Sequence, residues 1–326
     1  MEFRAFAVAT VIIAATCLRA PAQAQVAQPN WPATLTIATA SPGGTYYTYG
    51  QGLARILTRV LHLPVAARPT EGPSENIRLI EQGDAQVGFV TMGVALQGWN
   101  GTADWTGGKE FRAMRALFPM YDTPFHFIVM RESPVQSLAD MAGKRIGAGP
   151  RGGTAGNYVP RFFETLEIAA PLSYGTWEAL TAQLEQGELD VLAVAAGVPF
   201  PAVTRLEADQ EIRYIPVSED QIFTLRLAMS ELNQSVIPAG TYPSLMKGYP
   251  TVGLYNFAVA HKDLPDDLVY RIVKVVFDYH QEMMEIHPAA ASTVPGNFVY
   301  NTFLPYHDGA ARYYGNTFAP GLLVGD

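Results

Sequence analysis

Apolar positions along this chain follow two patterns that alternate, and the alternation predicts its architecture. Residues 34–40 place β-branched side chains between small and apolar ones, the period of two that marks a strand. The run breaks at Pro42, Gly43 and Gly44, and helical spacing of Leu53, Ile56 and Leu57 then predicts a helix from about Gln51 to Leu61. Residues 65–68 predict a second strand. A helix over 75–82 follows, capped by Gly72 or Ser74, with Pro73 in its first turn and Gly83 as its stop. The apolar run 85–90 predicts a buried strand, and Thr91, Met92 and Gly93 open another short helix.

The same order then returns. A strand is predicted at 144–148, a glycine loop at 149–154, and a helix over 157–166 with Phe162, Phe163 and Leu166 on one face. Glu185-Gln186-Gly187-Glu188-Leu189-Asp190-Val191 echoes Glu81-Gln82-Gly83-Asp84-Ala85-Gln86-Val87, and each precedes an apolar strand and a loop that opens a helix. An order of parts that occurs twice predicts an α/β protein of two doubly wound lobes. The final third adds a strand at 251–260 and one long amphipathic helix over 265–286, with Asp266 and Asp267 where the helix dipole favours acids. Val269, Ile272, Val273, Val276 and Phe277 on that helix need a core, which the first lobe supplies if the chain returns to it. The expected boundaries are 31–127 with 245–326 for lobe 1 and 128–244 for lobe 2. Two segments then cross between lobes, near 125–131 and 238–251, forming a hinge with a ligand cleft at the carboxyl ends of the strands.

The glycine loops carry the candidate chemistry. Gly43 and Gly44 let the backbone approach a ligand, and the first N–H groups of the following helix attract an anion. The same residues also fit a plain strand-to-helix turn. No Lys-Ser or Lys-Thr follows them, so a nucleotide P-loop is excluded. Residues 147–152 fit G-x-G-x-x-G in form, yet no acidic residue ends the next strand and Pro150 stiffens the turn, which argues against a dinucleotide. The chain has no Gly-x-Ser-x-Gly elbow, and its six histidines form no H-E-x-x-H pair. No catalytic group, metal or cofactor is therefore expected. His126, inside the apolar run 125–129, reads as a partnered core histidine. Arg151 sits at a loop tip where a guanidinium could pair with a carboxylate, and a solvated surface arginine fits equally. Of Tyr46, Tyr47 and Tyr49, at least one should face the core.

Composition narrows the partners. Over 326 residues, 22 lysines and arginines against 30 acids give a net charge of -8 with no basic run, which excludes nucleic acid as a partner class. Arg4, the apolar run 5–18 and Ala22-Gln23-Ala24 predict an export signal over 1–24, cleaved near Ala24, and a periplasmic mature protein. An uncleaved anchor and a lipidated Cys17 are the alternatives. Cys17 is the one cysteine, so a processed chain has neither disulfide nor thiol nucleophile.

Six blocks resemble a known family: Gly43-Gly44-Thr45-Tyr46-Tyr47, Glu75-Asn76-Ile77-Arg78-Leu79-Ile80, and residues 83–90, 137–146, 237–242 and 307–314. They are similar, in order and over nearly the whole mature chain, to the TAXI receptors of tripartite ATP-independent periplasmic (TRAP) transporters. The resemblance implies a type II periplasmic-binding-protein fold that closes on a small organic anion, a carboxylate or amino acid of glutamate or dicarboxylate type. It implies delivery to TRAP-type membrane permease subunits, without turnover, by a monomer. The implied ligand residues are Gly43, Gly44, Thr45, Tyr46 and Tyr47 from the first loop, Glu71 and Ser74 from the second, and Thr91 and Met92 from the third. From the facing lobe come Arg151, Gly153, Thr154, Gly197, Val198 and Pro199. Met92 stands where the family carries a more polar side chain and Arg151 where it commonly carries proline, so a less polar, more cationic cleft is expected. A ligand-sensing subunit acting on a membrane signalling protein is the alternative use of the same fold, and an exported enzyme is a third.

Overall fold

The computed structural model describes residues 30–318, so the expected export segment and Cys17 lie outside the described residues. The first half runs β1 (Leu35–Ala38), α1 (Thr45–Leu61), β2 (Val65–Arg68), α2 (Pro73–Gln82), β3 (Val87–Thr91) and α3 (Met92–Asn100). A long strand, β4 (Met114–Met130), leads to β5 (Ile146–Gly147), α4 (Thr154–Thr165), β6 (Leu172–Ser173), α5 (Trp177–Glu185) and β7 (Val191–Ala195). Next come α6 (Pro201–Asp209), β8 (Ile212–Ile215), α7 (Glu219–Ala228) and β9 (Asn233–Ile237). The second long strand, β10 (Tyr249–His261), precedes α8 (Asp266–Asp278), α9 (His280–Ile286) and α10 (Asp308–Phe318).

Each lobe is built around the same parallel triplet. β1 lies between β2 and β3, and β5 lies between β6 and β7, all parallel. The echoed sequences occupy equivalent places down to their hydrogen bonds. Asp84 and Ala85 donate their N–H groups to the Leu79 carbonyl, and Glu188 and Leu189 donate theirs to Gln183. Gly83 and Gly187 both adopt left-handed conformations there, with φ of 79° and 71°.

The crossings between lobes are continuous strands. β10 pairs antiparallel with β3 and with β4 as far as Pro124, and from Phe125 onward β4 pairs instead with β7 and β8. β9 pairs antiparallel with β10 over Tyr249–Gly253. Strands joined this way make a two-segment hinge between two α/β lobes, the type II periplasmic-binding-protein fold. A stretch of buried apolar side chains joins Ile77 and Val90 of the first lobe to Phe127, Phe162 and Val191 beneath the hinge strands.

Two element boundaries differ from the pattern-based expectation. α1 begins at Thr45, because Tyr46 and Tyr49 continue the buried face that Leu53 and Ile56 occupy and their aromatic rings pack on Phe89. The expected helix over 265–286 is two helices that part at Tyr279 (φ -105°, ψ 24°). α8 buries Val269, Ile272, Val273 and Val276, whereas α9 turns to place Met283 in the core and Ile286 over Gly52 of α1. A Cβ at Gly52 would stand 2.3 Å from Ile286, so the close approach of α9 requires glycine there. Among the described residues, no helix is long and apolar enough to cross a membrane.

Candidate functional site

The helix N-termini of the two lobes meet across a cavity of about 50 Å³. Its floor comes from Ser41, Gly44, Thr45 and Tyr46 on one side and Gly153, Thr154 and Gly197 on the other, and Tyr121, Trp177 and Phe200 supply aromatic walls. α1 starts after Gly44 and α4 after Gly153, and neither has a side-chain cap. Of the other helices, α5 is capped by Thr176 and α7 by a full capping box from Ser218 and Gln221, whereas α8 has no side-chain cap. First-turn N–H groups have no acceptor within their own helix, so those of α1 and α4 are available to a solute between the lobes.

Hydrogen bonds hold the lobes together around this space. Thr45 Oγ1 donates to the Gly197 carbonyl at 2.7 Å. Ser74 donates twice to the Gly152 carbonyl, from Oγ at 3.0 Å and from its backbone N–H at 3.2 Å. Thr91 and Thr154 share a hydroxyl contact of 3.3 Å. His287 Nε2–H donates to the Pro199 carbonyl at 3.0 Å, its tautomer fixed because Nδ1 accepts from the Ala289 N–H. Backbone meets backbone at Gly72, where a Cβ would stand 2.9 Å from the Gly153 Cα and φ is +131°.

Among the described residues, two buried hydroxyls in the lining have no protein partner, Ser41 Oγ and Tyr121 OH, on residues 7% and 4% exposed. The neighbouring Tyr46 differs, since its hydroxyl donates to Asn256 Oδ1 at 2.5 Å. Asn256 Nδ2 in turn donates to the Tyr121 carbonyl and to Thr123 Oγ1, which ties the Tyr46 hydroxyl to the hinge strands. Burial raises the Tyr46 and Tyr121 phenols well above their ordinary range, so both stay neutral donors. Phe200 is held by its N–H donating to Tyr242 OH at 2.8 Å, which lies 3.5 Å from His126 Nε2, while His126 Nδ1 faces the Pro124 carbonyl at 3.2 Å.

The sequence-derived candidates divide between the cavity and its surroundings. Gly44, Thr45, Tyr46, Glu71, Gly153, Thr154 and Gly197 line it. Gly43 lies outside, beneath the Arg205 guanidinium of the opposite lobe. Tyr47 is half-buried away from the cavity wall, and Met92 is buried in the apolar core. Ser74 and Thr91 act between lobes. Val198 and Pro199, joined by a cis peptide, lie behind Gly197. Arg151 is exposed, with its guanidinium 4.1 Å over the Tyr174 ring, in an outer groove that it shares with Glu71 and Glu75. Among the described residues, no lysine, arginine or histidine lines the inner cavity. Sequence reasoning missed Ser41, Tyr121, Trp177 and Phe200; only Ser41, beside the Pro-Gly-Gly turn, carried a local signal. Among the described residues, no group of three or more His, Cys, Asp or Glu could hold a metal ion.

Solved structures share this architecture. The periplasmic binding protein BugD superposes with a TM-score of 0.55 at 14% identity, covering 79% of this chain and 87% of that one. A candidate L-cystine ABC transporter protein from Listeria monocytogenes gives a TM-score of 0.50 at 12% identity, covering 81% of this chain and 99% of that one. Likeness at such low identity establishes the fold. A family model describes the sequence itself over residues 37–316, nearly all of the described structure, and the chain belongs to the NMT1-like family.

Proposed function

We propose that this chain is an exported solute-binding receptor that captures a small organic anion between its lobes and delivers it, unchanged, to a TRAP-type membrane permease. The observation that carries this reading is the pairing of lobe-bridging bonds at Thr45–Gly197 and Ser74–Gly152 with a cavity between the lobes into which uncapped helix N-termini open. Such bonds exist only when the lobes meet, so a solute that touches both lobes shifts the hinge toward closure by its preference for that state. The six sequence blocks shared with TAXI receptors support the TRAP-type partner and the periplasmic address. We place the lobe boundary in the hinge strands, near residues 127–128 and 244–245, and put the binding groups at Ser41, Gly44, Thr45, Tyr46 and Tyr121 facing Gly153, Thr154 and Gly197.

The test is uptake of a radiolabelled carboxylate into proteoliposomes that hold a TRAP-type permease. Uptake that requires both this protein and an ion gradient, with the solute recovered intact, is the expected result. Chemical conversion of the solute, or a response of a membrane signalling protein without uptake, would overturn it.

A further inference from the structure

We propose that the cavity selects a compact monocarboxylate, with Tyr121 and Ser41 as the side chains that recognise its anionic head. The inference rests on the receptor reading above and narrows it, against the dicarboxylate that the sequence resemblance suggested.

Charge balance is the first argument. α1 and α4 each bring an uncapped N-terminus to the cavity, and a helix N-terminus carries about half an elementary positive charge. Together they offset about one negative charge. α2 and α6 add little, because each opens with a proline that has no N–H, the Ser74 N–H is already bonded to Gly152, and the Phe200 N–H to Tyr242. Among the described residues, no cationic side chain lines the cavity, and Glu71 at its edge opposes anionic charge, so two carboxylates are disfavoured more strongly than one. Arg151 does not supply the missing charge, since it stacks on Tyr174 in the outer groove.

The second argument is the pair of unsatisfied hydroxyls. Ser41 Oγ and Tyr121 OH are buried without a partner, an arrangement that costs stability unless a guest completes their hydrogen bonds. A neutral phenol donates well to a carboxylate oxygen. Size and wall chemistry form the third. A cavity of about 50 Å³ whose lining includes Ala148, Ala195, Trp177 and Phe200 leaves room for a short apolar tail beside the polar head. By the space one water needs, that is room for roughly three to five water-sized groups, which favours a short guest over a longer dicarboxylate.

Calorimetric titration with pyruvate, butyrate, succinate, 2-oxoglutarate and butyramide tests the assignment, with small-angle scattering reporting closure. Pyruvate or butyrate is expected to bind at least about ten-fold more tightly than either dicarboxylate or the neutral amide. Tyr121→Phe and Ser41→Ala are each expected to weaken that binding about ten-fold while the Tm of the free protein holds. Should Tyr121→Phe fail to fold, Ser41→Ala carries the comparison. Tighter binding of succinate or 2-oxoglutarate, with closure, would overturn the monocarboxylate assignment and leave the receptor reading standing. Equal binding of butyramide and butyrate would also overturn it, as would unchanged affinity in the folded variants. Absence of closure with every carboxylate would remove the anion-receptor reading as well.

Discussion

His126 and Asp122 lie where β4 passes between the lobes, and burial moves their protonation in opposite chemical senses toward the same neutral state. Burial lowers His126 to about 4, partly offset by the Pro124 carbonyl, and raises Asp122, which Ser235 and Asn233 counter by hydrogen bonding. The histidine therefore binds its proton more readily in the unfolded chain, whose ordinary value is near 6.5. Its contribution to stability is complete above that value and is lost as pH falls from about 6.5 through 4, amounting to about 3 kcal/mol. His287 and His307, also lowered by burial, act in the same direction. Urea unfolding at pH 7 and pH 4.5 should show most of this loss, and His126→Gln should remove its share of the slope; an identical slope in both proteins would contradict the assignment. Arg151 makes the opposite lesson at this scale. Its loop position promised a carboxylate partner, yet the nearby Tyr174 ring takes the guanidinium outside the cavity. Arg151→Ala should leave the affinity for a bound carboxylate within about two-fold at physiological salt, as expected for an exposed charge.

At the scale of elements, the glycine loops serve two purposes that sequence could not separate. Gly44 and Gly153 end turns whose following helices open into the cavity, and Gly72 and Gly152 bring the lobes into direct contact. A Cβ on Gly152 would stand 2.9 Å from the Glu71 Cβ and 3.1 Å from Ser74 Oγ, both across the cleft. Gly152→Ala should therefore weaken solute affinity about ten-fold by obstructing closure, with the Tm of the free protein nearly unchanged because the clash exists only when the lobes meet. Ser74→Ala should weaken affinity about five-fold, the equivalent of one hydrogen bond of about 1 kcal/mol. Titration calorimetry beside thermal melts checks both, and a fall in Tm without loss of affinity would mean that these groups serve folding alone. Strand-glycine-helix order was legible because Pro-Gly-Gly interrupts a clear period of two. The break between α8 and α9 was not, because apolar spacing continues through Tyr279 and only the position of α1 decides where the helix must turn.

Across the whole molecule, the repeated order of parts carried the two-lobe architecture, and the chain's return to the first lobe implied the hinge. What sequence hid was the continuity of β4 and β10 through that hinge, since a strand that changes partners at Pro124 and Phe125 looks locally like any buried strand. The cavity walls were hidden for the same reason. Tyr121, Trp177 and Phe200 sit in stretches whose pattern reads as core, and only the meeting of distant segments turns them toward a shared space. Hinge closure upon a guest is the property on which the proposed receptor function depends. The most direct test is the distance between spin labels at Arg55→Cys and Glu178→Cys, both exposed and on opposite lobes, measured with and without the tightest-binding carboxylate. A single, shorter distance at saturation is predicted; an unchanged distribution with the site filled would contradict the account.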